Sequence, residues 1–261
     1  MAKALLNVLF TSEKRKKVLL LLKDGPMEMD TLLKSLETTR QALLPQVKIL
    51  KDNHLICDHE DTYGLTIIGK LIIDEMTSLL DIIELLDGSI DYWGSHYLDF
   101  IPPHLLERID ELRKCKLIKP KITELYEINT EFFEASKKAK SHYIVTTFLH
   151  PNFIQLANDL ITNNINIYFI SSQDLLDKMI KEYHDDFEKI IQNHLVHAFV
   201  YSKKMDFQFV AFNECYAMLS LLRTNGEFDS KYLLCKGKTV NEWGIDFYNC
   251  YLKDSKPVTD I

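Results

Sequence analysis

The chain has 261 residues, 46% hydrophobic and 26% charged, with a formal net charge of −7. That length and apolar share allow two domains with separate cores and exclude a disordered chain. Apolar runs such as Val18 to Leu22 and Ile82 to Leu86 fall far short of the roughly 18–20 residues of a membrane-spanning helix, and no signal-peptide pattern opens the chain, so the expectation is a soluble cytoplasmic protein.

The acidity is unevenly spread. Residues 1–73 carry 11 Lys+Arg against 9 Asp+Glu, a balance of +2, and the remainder carries −9. A weakly basic N-terminal segment before an acidic one is compatible with nucleic-acid contact, because an oriented set of cations matters more to phosphates than the total. The five cysteines, Cys57, Cys115, Cys215, Cys235 and Cys250, are odd in number, widely spaced and without a Cys-x-x-Cys pair. They read as small reduced hydrophobes, with a redox-sensing pair as the alternative, rather than as a zinc ribbon or disulfide framework.

In chain order, Ser12 is placed to cap a helix with Val18, Leu19, Leu21 and Leu22 on its apolar stripe, stopped by Gly25-Pro26. Lys14, Arg15, Lys16 and Lys17 make it basic. Asp30 is the expected cap of a two-turn helix through Leu32, Leu33 and Leu36. After the turn Glu37-Thr38-Thr39, Thr39 is placed to cap a third helix, whose Leu43, Val47 and Leu50 share one face. Arg40, Gln41, Pro45, Lys48 and Lys51 then face outward, with Gln46 at the margin.

A strand Leu55 to Asp58, a polar tip at residues 59–62 and a return strand Tyr63 to Leu65 complete a winged helix-turn-helix. In that docking mode the third helix enters the major groove, where Arg forks onto guanine and Gln onto adenine. Arg40 and Gln41 are the expected base readers. Thr39, Gln46, Lys48 and Lys51 are further expected DNA contacts, and His59 and Tyr63 of the wing are expected beside the backbone. Asn53-His54 stands where such folds commonly use Gly, and Asn tolerates the left-handed conformation that Gly would supply. Pro45 should bend or shorten the recognition helix unless that helix starts later.

Thr66 to Leu86 is a long helical pattern, with Ile67, Leu71, Met76, Leu79, Leu80, Ile83 and Leu86 recurring every three or four residues before Asp87-Gly88. A helix of this length, about 30 Å, exceeds what the small N-terminal module can bury and suggests packing against a twin in a homodimer. A two-fold dimer also suits a pseudo-palindromic operator. Pro103 suits the first turn of an expected helix from His104 to Lys114. His142 to Phe148, Asn152 to Asn163 and Asn166 to Ile170 read as a βαβ unit with a parallel strand pair. A helix from Asp174 to Tyr183, further helix to His194, four strands (196–201, 207–212, 216–222 and 231–235) and a last helix from Val240 to Leu252 follow. The expected class is an α+β winged helix-turn-helix domain (residues 1–73), joined by a linker or dimerisation helix (74–88) to an α/β sensor-like domain (89–261).

The chain resembles archaeal winged-helix transcriptional regulators of methanogens that share their second domain with the regulator of filament formation and methanogenesis. The residues carrying this resemblance are Leu65-Thr66 and Gly69, then Trp93, His96, Ile101-Pro102 and Leu105-Leu106. His150-Pro151, Gly226 with Phe228-Asp229, and Trp243-Gly244 with Phe247-Tyr248 complete the set. The resemblance implies DNA-bound transcriptional control with the second domain sensing a signal, an acyl-homoserine-lactone-like molecule being one candidate.

Enzyme motifs are few. None of the nine histidines is followed two residues later by Lys, as phospholipase D chemistry requires, and there is no Gly-x-Ser-x-Gly elbow, Walker loop or dinucleotide fingerprint. His194 and His197 lack a third ligand at metal-site spacing, so no cofactor or metal is expected. In open α/β sheets ligands lie beyond the carboxyl ends of strands, which points to His150, Ser171 and Ser172; a helix cap is the competing role for the serines. The favoured reading is a dimeric, ligand-responsive transcription factor binding double-stranded DNA. Its alternatives are a protein-interaction scaffold and a DNA-tethered enzyme using His150 or Asp229.

Overall fold

The computed structural model describes residues 2–259. It divides into two compact units, residues 1–81 and 82–261, both of mixed α and β character. In the first, α1 (Ala2–Phe10) and α2 (Glu13–Leu21) precede β1 (Met27–Glu28), α3 (Met29–Ser35), α4 (Arg40–Asp52), β2 (Ile56–His59) and β3 (Thr62–Leu65). Then α5 (Ile67–Asp87) begins.

Ser12 caps α2 as expected, its side chain accepting from Arg15 N. The other two caps are corrected. α3 starts at Met29, with Glu28 at the cap position and Asp30 inside the first turn, because the Met29 amide bonds to Asp61 O at 3.1 Å and fixes where the helix begins. Thr39 holds the cap position of α4 without a side-chain bond; its carbonyl accepts from Ala42 and Leu43 instead.

Pro45 sits inside α4, which nevertheless runs its full 13 residues. The cost is limited because Pro45 is exposed, and the Gln41 carbonyl that loses its helical donor lies on the solvent side. Leu43, Val47 and Leu50 are buried with Val18, Leu19, Leu22 and Leu32 in one core. β1, β3 and β2 form an antiparallel sheet in that order. The left-handed residue before the hairpin is His54 (φ 58°), not Asn53 (φ −98°).

Thr66 pins the root of α5. Its hydroxyl donates to His54 O at 2.6 Å and accepts from Gly69 N at 3.0 Å. A Cβ on Gly69 would lie 2.0 Å from Leu55 O, so the helix start and the chain before the hairpin touch backbone to backbone.

The second unit comprises α6 (Ile90–Ser95), α7 (Pro103–Leu106), β4 (Cys115–Ile118), α8 (Thr130–Ser136), β5 (Ser141–Thr146), α9 (Phe153–Thr162), β6 (Asn166–Ser171) and α10 (Gln173–Ile191), followed by β7 (Val196–Tyr201), β8 (Phe207–Phe212), β9 (Tyr216–Leu221), β10 (Tyr232–Lys236), α11 (Thr239–Leu252) and β11 (Ser255–Pro257). Its eight strands order as β11-β7-β6-β5-β8-β9-β10-β4. The strands β5, β6 and β7 run parallel, which the two helical crossovers α9 and α10 require; the other pairs are antiparallel.

Trp243, Phe247 and Tyr251 of α11 pack with Val145, Ile170, Phe212 and Leu219 against one face, and Gly244 admits the Phe212 ring, which lies 2.5 Å from where a Cβ would stand. Against the other face lie Phe132 of α8, Leu160 of α9, and Met179 and Phe187 of α10.

Two expectations fail here. The helix expected from His104 to Lys114 is a single turn followed by a 3-10 segment, Ile109–Leu112, and the edge strand β4. The cysteines are not all reduced: Cys115 and Cys235 stand directly opposite each other on β4 and β10 and are joined as a disulfide. Cys57, Cys215 and Cys250 are free.

Candidate functional site

The outward face of α4 carries Arg40, Gln41, Leu44, Pro45, Lys48, Lys51 and Asp52, all exposed. At 100° per residue they fall within an arc of roughly 140°, opposite the buried leucines. The Arg40 guanidinium Nη2 lies 2.8 and 2.9 Å from the two carboxylate oxygens of Asp61, and Lys51 pairs with Asp58 at 2.6 Å. Both hairpin acids therefore reach across to cations of the helix. Gln41 and Lys48 have no hydrogen bond or ion pair among the described residues and lie open on that face.

Two expected contacts change character. Gln46 accepts from Arg15 Nη1 at 2.8 Å and from the Ser12 hydroxyl at 3.1 Å, joining α4 to α2. Tyr63 is 5% exposed and part of the core; burial raises its hydroxyl pKa, and the nearby Asp61 and Asp58 add to the shift. It faces inward because β3 alternates, so it cannot lie along a phosphate backbone. Arg15 is spent internally as well, donating to Val8 O, Asn7 O and Thr11 Oγ1. Exposed His59 flanks a turn in which Glu60 and Asp61 take φ of 47° and 64°. The hairpin is acidic: from Arg40 to Asp61 three cations face four carboxylates.

In the second unit the geometry centres on the sheet face beneath α8, α9 and α10. Two adjoining cavities of about 140 and 180 Å3 share the inward side chains of β5, His142, Ile144 and Thr146, together with Phe148 and His150. Strand alternation puts these side chains on the helix-covered face while Tyr143 and Val145 point to α11. Burial lowers the His142 pKa to about 4, and its Nδ1 sits 3.1 Å from Ser136 Oγ. His150 lines both cavities, is half-buried with its pKa lowered by that burial, and accepts from Asn152 N at 3.1 Å.

Ser172 is the cap of α10, accepting from Leu175 N at 3.3 Å. Ser171 is fully buried, and its hydroxyl has no hydrogen-bond partner among the described residues. Neither serine lines the cavities, so the structure brings only His150 of the three expected ligand residues to them.

Asp229 also borders the larger cavity, with its carboxylate already engaged. Oδ2 lies 3.1 Å from Arg223 Nη2 and 3.4 Å from His96 Nε2, and Oδ1 accepts from Lys231 N at 3.0 Å. Burial alone would raise its pKa, but the Lys231 amide and the Lys231 and Arg223 charges more than offset this and hold it below the ordinary range. Sequence reasoning missed Gln208, Ser220 and the aromatic lining; the period-2 pattern of Met218 and Ser220 on β9 was the available signal.

The chain thus has two parts, an exposed helix face beside a hairpin in the first unit and an α/β unit with partly open apolar cavities in the second. Family models described as the N-terminal and the middle domain of the methanogenesis regulatory protein FilR1 match residues 3–84 and 125–254. The chain belongs to this family of archaeal methanogenesis regulators. The curated FilR1 of Methanothrix harundinacea (strain 6Ac) is 22% identical over 263 residues. The match covers 97% of this chain but 58% of that relative.

Among solved structures, the archaeal chromatin protein TrmBL2, whose description reports a novel mode of DNA binding, is 12% identical. That likeness covers 98% of this chain and all of the other at a TM-score of 0.39. Nuc of Salmonella typhimurium, a phospholipase D family member, is 8% identical over 56% of this chain and all of the other, with a TM-score of 0.41. Likenesses of this size do not establish a common fold.

Proposed function

We propose that this protein is a sequence-specific DNA-binding transcriptional regulator whose first unit is a winged helix-turn-helix and whose second unit takes a small effector. The observation that carries the reading is the exposed face of α4, where Arg40, Gln41 and Lys48 project from a helix held by a buried Leu43, Val47, Leu50 stripe. Membership in a family of methanogenesis regulators supports it. Arg40 and Gln41 read base edges, and Thr39, Lys48 and Lys51 hold phosphates. The acidic hairpin does not grip the backbone; it restrains Arg40 and Lys51 until DNA competes for them.

The protein acts as a homodimer. On α5, Ile67, Leu71 and Leu79 are 80%, 67% and 47% exposed, and Leu6 and Phe10 of α1 are exposed as well; apolar side chains in such a concentration mark an association surface. Effector control requires unequal affinity for two arrangements of the dimer. Mobility-shift titration of promoter fragments at fixed salt tests the DNA reading: Arg40→Ala should weaken specific binding by about 1–3 kcal/mol, and Lys48→Ala should weaken all sequences evenly. Binding unaffected by either change would overturn it.

A further inference from the structure

The two adjoining cavities of the second unit have a size and a charge pattern that together define what they accept. An apolar cavity of roughly 150 Å3 takes one benzene ring. Spaces of about 140 and 180 Å3 sharing one wall therefore accommodate about two fused rings.

Among the described residues, their walls include no lysine or arginine. The smaller space has no acidic residue either, and the larger has only Glu127 and Asp229, the second of these already occupied by Arg223, Lys231 and His96. His142 is held neutral by burial, with a pKa of about 4, so it brings no positive charge. Gln208 spends its amide hydrogens on Leu221 O and Asp229 O, at 3.0 and 2.8 Å, which leaves its oxygen as an acceptor. Ser220, 3% exposed, has a hydroxyl without a hydrogen-bond partner among the described residues. Bringing an anion into such surroundings strips its water and offers no counter-charge in return.

From this arrangement we infer that the second unit binds an uncharged, ring-bearing apolar molecule of about two fused rings, with one hydrogen-bond donor met by Gln208 and Ser220, and rejects its carboxylate counterpart. The inference rests on the reading of the second unit as an effector-binding domain. The ring system occupies both spaces against Phe148, which lines each of them, and the donor supplies orientation.

Calorimetric titration of the full chain near neutral pH with naphthalene, naphthalene-2-carboxamide and 2-naphthoate tests it. The carboxamide should bind, with the acid weaker by about thirtyfold or more. Ser220→Ala, which removes only the hydroxyl, should weaken the carboxamide about fivefold and leave naphthalene unchanged. Phe228→Arg, at a side chain 58% exposed on the cavity rim, should narrow the gap between amide and acid about fivefold by supplying the missing cation. Acid binding as tight as the amide would overturn the charge inference and leave the effector-domain reading intact. Failure of both naphthalene and its amide to bind a folded chain would overturn the cavity as a ligand site, and that reading with it.

Discussion

Replacing Asp61 with Asn tests the restraint on α4 most directly. Asn tolerates the left-handed conformation that position 61 adopts, at φ 64°, so the turn should survive. The change removes the carboxylate that holds Arg40 at 2.8 Å. Because the two side chains are 50% and 46% exposed, the pair is worth only about 0–1 kcal/mol, and folding stability should fall by no more than that.

DNA affinity should move the other way. The pair no longer has to be broken on binding, and a negative charge about 10 Å from a phosphate costs roughly 0.4–1.7 kcal/mol at effective dielectrics of about 80 to 20. Together these give about 0.4–2.7 kcal/mol, or roughly 2- to 100-fold tighter binding. The logarithmic salt dependence should steepen by about one phosphate contact. Fluorescence anisotropy over a salt series, with random duplex beside promoter DNA, measures both quantities. Affinity unchanged within about twofold, or lowered, would refute the restraint and make Asp61 a positioner of Arg40 instead.

Three further outcomes follow from the packing. His142 titrates at about 4 when folded against about 6.5 when unfolded, so the unfolded chain holds more protons between those values; stability should be full above pH ~6.5 and fall by about 3 kcal/mol on acidification to pH ~4, and denaturant midpoints of His142→Gln should lose that part of the acid slope. Gly69→Ala should destabilise the first unit by more than about 2 kcal/mol, since its Cβ would meet Leu55 O at 2.0 Å and neither backbone can step aside, as chemical denaturation would reveal. The Cys115–Cys235 bond closes a separation of 120 residues, which chain entropy values at about 5 kcal/mol; a reductant should lower the unfolding free energy of the wild type by up to that amount and leave that of the double alanine variant unmoved.

Much of the second unit was legible because its strands carry unbroken apolar runs between helical patterns. His142 to Phe148 and Asn166 to Ile170 declared a parallel pair in this way, and β5 and β6 form it. The edge strand β4 was hidden: Cys115–Ile118 is four residues long with a lysine in it, and nothing local says that it will find β10. The cysteine bridge was hidden for the same reason, as its partners meet only through that pairing.

At α4 the buried stripe identified the exposed face, but periodicity within one helix cannot report what the hairpin that starts four residues beyond its end will place over it. Asp61 and Asp58 reach Arg40 and Lys51 only because β2 and β3 fold back in a tight turn. Tyr63 was misassigned although alternation with Thr62 and Gly64 could have placed it inward; reading the wing as a contact surface overrode its own period.

The anchoring of α5 carries a mechanical consequence. Thr66 bridges His54 and Gly69, and Gly69 lies against Leu55 with no side chain between them. A shaft keyed in this manner cannot spin freely in its socket. Torque applied along it is passed to the hairpin strands it is locked to.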